Sequence, residues 1–133
     1  MFILDASVVL KWFVEEEKSQ VARDIRDRYI KGEISINVPD LLLHEVANAL
    51  LSKQSFTEYA VTEVVQSIFD MGINIIAPVP HIMKRAINLS YKNKITEYDA
   101  HYLALALDMN YKFITSDKKL YEKIKKYPSV EFL

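Results

Sequence analysis

Phe2-Ile3-Leu4-Asp5-Ala6-Ser7 decides how the rest of the chain is read: three apolar residues run to an acid and stop. A strand that short and wholly apolar offers no solvent face, so it reads as a central strand with Asp5 at its carboxyl end. Working outward, Val21, Ala22, Ile25, Tyr29 and Ile30 recur at helical spacing over 18–31, and Gly32 follows where a left-handed cap is expected. Ile34, Ile36 and Val38 alternate as a second strand stopped by Pro39, and 40–53 reads as a mostly apolar helix. Thr57 is placed to cap a helix over 57–70 that carries Tyr59, Ala60, Val64, Ile68 and Phe69 and ends before Gly72. Residues 73–77 are strand-like, and 82–91 carries Ile82, Ala86, Ile87 and Leu89 at helical spacing. Residues 97–109 are apolar nearly all round, the mark of a buried helix. Phe113-Ile114-Thr115 supplies a fourth strand, 117–126 a basic helix and 130–133 a last strand.

Strands separated by one or two helices predict an α/β domain, with a mostly parallel sheet of four or five strands covered on both faces. In such sheets the functional crevice lies beyond the carboxyl ends of the strands. Asp5 and Asp117 each fall just after a strand. At 133 residues the chain is expected to be one domain, 1–133. Its apolar runs fall far short of the roughly 18 residues a membrane span needs, and Asp5 and Lys11 interrupt anything resembling a leader, so a cytoplasmic protein with no membrane partner is expected. There is no Cys, which excludes disulfides, thiolate metal sites and Cys nucleophiles. Seventeen basic and 18 acidic residues give a net charge of −1, so binding to nucleic acid must rest on local charge. Gly32 and Gly72 stand alone, which argues against glycine-rich phosphate loops.

Four acids carry the functional reading, and each has a structural alternative. Asp5 and Asp117 stand where they could cap the helices that follow them. Thr96-Glu97-Tyr98-Asp99 fits a capping box. Glu45 shares a helical face with Asn48 and Ser52, an ordinary solvated stripe. Their joint placement points elsewhere: two acids lie at strand ends and two early in Leu- and Ala-rich helices, where an uncompensated charge is costly to bury. Clustered carboxylates raise one another's pKa unless a cation joins them, and a hard divalent ion on oxygen ligands is the natural compensation. Other acidic motifs fail by residue. A haloacid-dehalogenase-type phosphatase needs a second Asp after the first strand, where Ala6-Ser7 stand. A phosphorylated receiver domain wants an Asp after the third strand, where Ala77-Pro78 stand. The zinc-protease helix motif beginning at His44-Glu45 meets Asn48 in place of its second His. His44, His81 and His101 are therefore read as surface or packing residues.

Phe2 to Ser7, Leu43-His44-Glu45-Val46-Ala47-Asn48-Ala49-Leu50, the run from Tyr98-Asp99-Ala100 to Ala106, and Ile114-Thr115-Ser116-Asp117 together resemble the PIN domains, and within them the VapC-like toxin ribonucleases. The resemblance covers nearly the whole chain. It implies a three-layer α/β/α fold and a metal site of Asp5, Glu45, Asp99 and Asp117, with Thr115 and Ser7 as supporting hydroxyls. It further implies one or two Mg²⁺ or Mn²⁺ ions, hydrolysis of RNA, a homodimer and an antitoxin partner. Beside Asp117, Lys118 and Lys119 lead a lysine run continued by Lys123, Lys125 and Lys126 that suits RNA phosphates, or that is simply a solvated helix face. A structure-specific DNA nuclease and a non-catalytic binding module remain as rivals at this point.

Overall fold

The computed structural model describes all 133 residues. Five strands, β1 (Phe2–Leu4), β2 (Ile36–Pro39), β3 (Asn74–Ile76), β4 (Lys112–Thr115) and β5 (Val130–Phe132), form one sheet in the order β3-β2-β1-β4-β5, every pair parallel. The wholly apolar β1 is the central strand. Ile3 and Leu4 are completely buried, as a strand covered on both faces must be.

Seven helices flank the sheet: α1 (Ala6–Val9), α2 (Ser19–Ile30), α3 (Leu41–Leu51), α4 (Glu58–Asp70), α5 (Pro80–Asn93), α6 (Glu97–Met109) and α7 (Lys118–Ile124). A single 3₁₀ turn, Leu10–Trp12, continues α1. The helix expected to be apolar all round is the innermost one. α6 packs on β1, β2 and β4 and pairs with α5, and every residue from Ala100 to Ala106 is buried. No helix is long and apolar enough to cross a membrane.

Several boundaries differ from the sequence reading, each for a local reason. β2 begins at Ile36, because its register is set by β1, where Phe2 pairs with Ile36. α5 begins two residues earlier, at Pro80, which is pre-set for the first helical position and lacks only an N–H the helix does not use there. α7 stops at Ile124, so Lys125 and Lys126 lie beyond it and the basic helix is only two turns long. Gly32 and Gly72 do hold left-handed conformations (φ 77° and 68°) after α2 and α4. Lys94 and Asn110 fill the same role after α5 and α6 without glycine. Trp12 is 5% exposed, and its indole N–H donates to the Ala22 carbonyl at 2.9 Å, tying the 3₁₀ turn to α2.

Candidate active site

Asp5 leaves the carboxyl end of β1 and Thr115 closes β4 beside it. Asp5 sits at the N-cap position of α1, yet its carboxylate makes no capping bond. Both oxygens are held by hydroxyls instead: Ser7 Oγ donates to Oδ1 and Thr115 Oγ1 to Oδ2, each at 2.5 Å. Those hydroxyls are themselves fixed by backbone, since Ser7 Oγ accepts the Ser116 N–H at 2.8 Å and Thr115 Oγ1 accepts the Asp117 N–H at 3.1 Å. The two supporting residues named from sequence thus clamp one acid and stitch the turn after β4 to the start of α1. Burial pushes the Asp5 carboxyl up to about 7, against the lowering effect of the two hydroxyl donors, and nearby Asp99 raises it further.

Glu45 lies in the second turn of α3, which starts directly after β2 at the same edge of the sheet. It is half-buried and does not form a solvated stripe with Asn48 and Ser52, both of which are exposed. Tyr102 donates its phenolic hydrogen to Glu45 Oε1 at 2.6 Å, and its ring is stacked on Phe113 at 5.8 Å in the core. Burial raises the Glu45 carboxyl, the tyrosine bond lowers it and Asp99 raises it again. The sequence reading passed over Tyr102 because its alternative role, core filling, is also true. Its signal was position: it lies three residues after Asp99, hence on the same side of α6.

Asp99 is the link between the acids, since its charge raises both Asp5 and Glu45. Its own carboxyl is raised by burial and then by Asp117, with smaller lowering effects from Thr96 and Lys123. Thr96 caps α6 by accepting the Asp99 N–H at 3.1 Å, so the capping box exists at its Thr end. Asp117 does cap α7, with Oδ1 accepting the Leu120 N–H at 3.1 Å. The structural alternative therefore holds for Asp117 and fails for Asp5. Asp99 and Asp117 share a depression of about 160 Å³ with Thr96, Lys119 and Lys123.

All four acids lie at the carboxyl edge of the sheet, where the alternation of strands and helices put them. No three of them gather into a closed group of metal ligands, contrary to the tight convergence expected. None of the four makes an ion pair with a basic side chain; the salt bridges of the chain all lie elsewhere. A donor set of carboxylate oxygens, partly buried and in no ion pair, fits a hard divalent cation. The histidines do not contribute: His44 is exposed, His81 faces Asp108 at 3.5 Å, and buried His101 is engaged with Glu97 at 3.1 Å on its own helix. Part of the lysine run is committed as well, Lys125 to Glu122 at 2.8 Å and Lys123 Nζ to the Lys94 carbonyl at 3.0 Å.

A parallel sheet in this order, with an acidic crevice at the carboxyl ends of its central strands, defines a class of α/β domain with an oxygen-lined, charge-deficient site. The sequence model of the PIN domain matches residues 2–126, and the chain belongs to that family. It is 28% identical over 125 residues to Ribonuclease VapC3 of Pyrobaculum aerophilum, an alignment covering 91% of this chain and 92% of that one. Among solved structures it is similar to a toxin–antitoxin complex from Klebsiella pneumoniae (TM-score 0.74, 18% identity, 98% of this chain and 96% of that chain). It is also similar to VapBC2 from Rickettsia felis bound to a DNA fragment from its promoter (TM-score 0.75, 12% identity, 99% and 98%). At those identities the two structures speak for the fold alone.

Proposed function

We propose that this chain is a divalent-metal-dependent endoribonuclease and the toxin of a toxin–antitoxin pair. The observation that carries the reading is the set of four carboxylates at one sheet edge, none of them in an ion pair, with Asp5, Glu45 and Asp99 raised by burial and by a neighbouring acid. Family membership and the relative named as a ribonuclease support the choice of reaction. Asp5, Glu45, Asp99 and Asp117 would hold Mg²⁺ or Mn²⁺, as one ion or two. The ion's contribution when bound is to offset the carboxylate charge, polarise a phosphoryl oxygen and acidify water near neutral pH.

The chain's own residues do the rest. Ser7 and Thr115 aim both Asp5 oxygens, and Tyr102 aims Glu45, so neither acid has to be ordered when substrate arrives. Lys119 and Lys123, lining the depression with Asp99 and Asp117, face a phosphodiester placed there, and Lys118 extends the basic surface. Water attack leaves a 5′-phosphate and a 3′-hydroxyl. The cleft is shallow, so it suits unpaired RNA, whose flexible backbone can enter it.

Exposed apolar side chains support the partners. Val21 and Ile30 stand out from α2, and Tyr59 and Phe69 from α4, all about half exposed or more. A depression of about 290 Å³ lined by Ala47, Val61, Val65 and Phe69 lies between α3 and α4. We assign these surfaces to a second copy of the chain and to an apolar antitoxin segment, in keeping with the similar Klebsiella structure, which is a toxin–antitoxin complex. The test is Asp5→Asn, which keeps side-chain shape and removes one charge. The wild-type protein is expected to cut single-stranded RNA with Mg²⁺ or Mn²⁺ and leave 5′-phosphate ends, and the variant to be folded and inactive; equal cleavage by the variant refutes the role of Asp5.

A further inference from the structure

On the other side of the turn that carries Asp117 lies a second depression, of about 370 Å³, lined by Lys11, Glu17, Lys18, Ser116 and Lys118 together with Phe132 and Leu133. Three lysines line it with Glu17 as the one acidic side chain. Lys11 is the unusual member. Only 8% of it is exposed, it sits in the 3₁₀ turn after α1, and the one carboxylate within reach is Glu16 at 3.9 Å, whose side chain is 41% exposed. An ammonium group withdrawn from water with so loose a partner is costly unless an anion completes its surroundings.

Lys18 is fixed on the opposite wall. Its backbone is left-handed (φ 63°), its ammonium bonds a main-chain oxygen of Leu133, and it stands 4.9 Å from the centre of the Phe132 ring. Lys118 begins α7, and Ser116 is held by the same Ser7 hydroxyl that donates to Asp5. One residue alternation therefore divides the turn between two depressions. Asp117 and Lys119 line the depression that holds Asp99, while Ser116 and Lys118 line the other.

We propose that the Lys11–Lys18–Lys118 depression is a phosphate subsite, which takes a phosphodiester of the same RNA strand flanking the bond held at the carboxylates. The inference rests on the nuclease reading for its substrate, and it explains what that reading leaves open. A second phosphate contact across the turn fixes the register of the strand and sets how far along it the cut falls. The ammonium groups act as point charges on non-bridging oxygens, so the subsite reads backbone and not base identity.

The experiment measures metal-free binding in EDTA of a fluorescent single-stranded oligoribonucleotide, across a salt series. Lys11→Gln, Lys18→Gln and Lys118→Gln are compared with Lys112→Gln, which removes a charge paired with Glu131 at the other end of β4. The three subsite variants are expected to bind about three- to fivefold more weakly at low salt, each with a salt slope smaller by about 0.7, while Lys112→Gln matches the wild type. A neutral methylphosphonate walked along the oligonucleotide weakens wild-type binding at one flanking position, and that position loses its effect in the Lys18→Gln background. If burial of Lys11 makes its variant unstable, the Lys18 and Lys118 variants carry the same readout. Binding unchanged in those variants overturns the proposal, as does an acidic peptide of equal charge competing as well as RNA. Lost binding in the variants together with a wild type that cleaves no RNA sustains the subsite and removes the nuclease reading.

Discussion

Replacing Asp5 by Asn should stabilise the metal-free protein at pH 8 and not at pH 5, because of where the Asp5 carboxyl titrates. Its ordinary value of 3.8 rises to about 7 in the fold, chiefly through burial. Between those values the folded chain keeps a proton that the unfolded chain releases, so folding stability falls as pH rises through the window and levels off above 7. About three pH steps at ~1.4 kcal/mol each make the loss on the order of 4 kcal/mol. Asn cannot ionise and escapes that loss. It accepts one hydroxyl as Asp does and donates to the other, so Ser7 or Thr115 must turn its own hydrogen away, a rearrangement costing about 1 kcal/mol. The net expectation in EDTA is a wild type that weakens from pH 5 to pH 8, and a variant that weakens less over that range and is about 2–3 kcal/mol more stable than wild type at pH 8. Mn²⁺ should close the gap by stabilising only the wild type, by about 2.7 kcal/mol at a hundredfold excess over Kd. Urea melts at four pH values with and without Mn²⁺ read all of this. A wild-type stability that is flat across pH 5–8 in EDTA, or an Asn variant weaker than wild type at pH 8, refutes the reasoning.

Tyr102→Phe keeps the ring stacked on Phe113 but leaves Glu45 Oε1 without its donor, so a stability loss of about 2 kcal/mol is expected in urea melts, with cleavage reduced and its pH optimum moved upward. At Asp117, Ala should cost about 1 kcal/mol in EDTA by removing the α7 cap, whereas Asn, which can still accept the Leu120 N–H, should stay close to wild type while losing cleavage. Equal melting of the Ala and Asn variants contradicts that division between cap and charge. Light scattering at high micromolar concentration should find a dimer, and polar substitution at Ile30 or Phe69 should disrupt either that dimer or inhibition by a co-expressed antitoxin.

β1 was legible because an unbroken apolar strand can only be central, and α6 because a helix apolar all round can only be inside. Asp5 and Asp117 were legible as strand-end acids by the same reasoning. What the sequence hid was which group satisfies which. A lone Asp before a helix looks the same whether it caps that helix, as Asp117 does, or turns to hydroxyls on a neighbouring strand, as Asp5 does. The second outcome depends on Thr115, 110 residues away. Tyr102 was hidden for the same reason, its hydroxyl meeting a carboxylate 57 residues distant. The end of α5 was missed by two residues, where Lys94 adopts a conformation usually left to glycine.

Asp99 is the carboxylate that presses on both Asp5 and Glu45, and the most direct test of a metal-dependent nuclease site is Mn²⁺-dependent cleavage by Asp99→Asn. With the wild type, single-stranded RNA should be cut in Mg²⁺ or Mn²⁺ and spared in EDTA. The variant should remain folded, bind the RNA in EDTA, and fail to cut it at any metal concentration. Cleavage by the variant at the wild-type rate, or wild-type cleavage that continues in EDTA, contradicts the account.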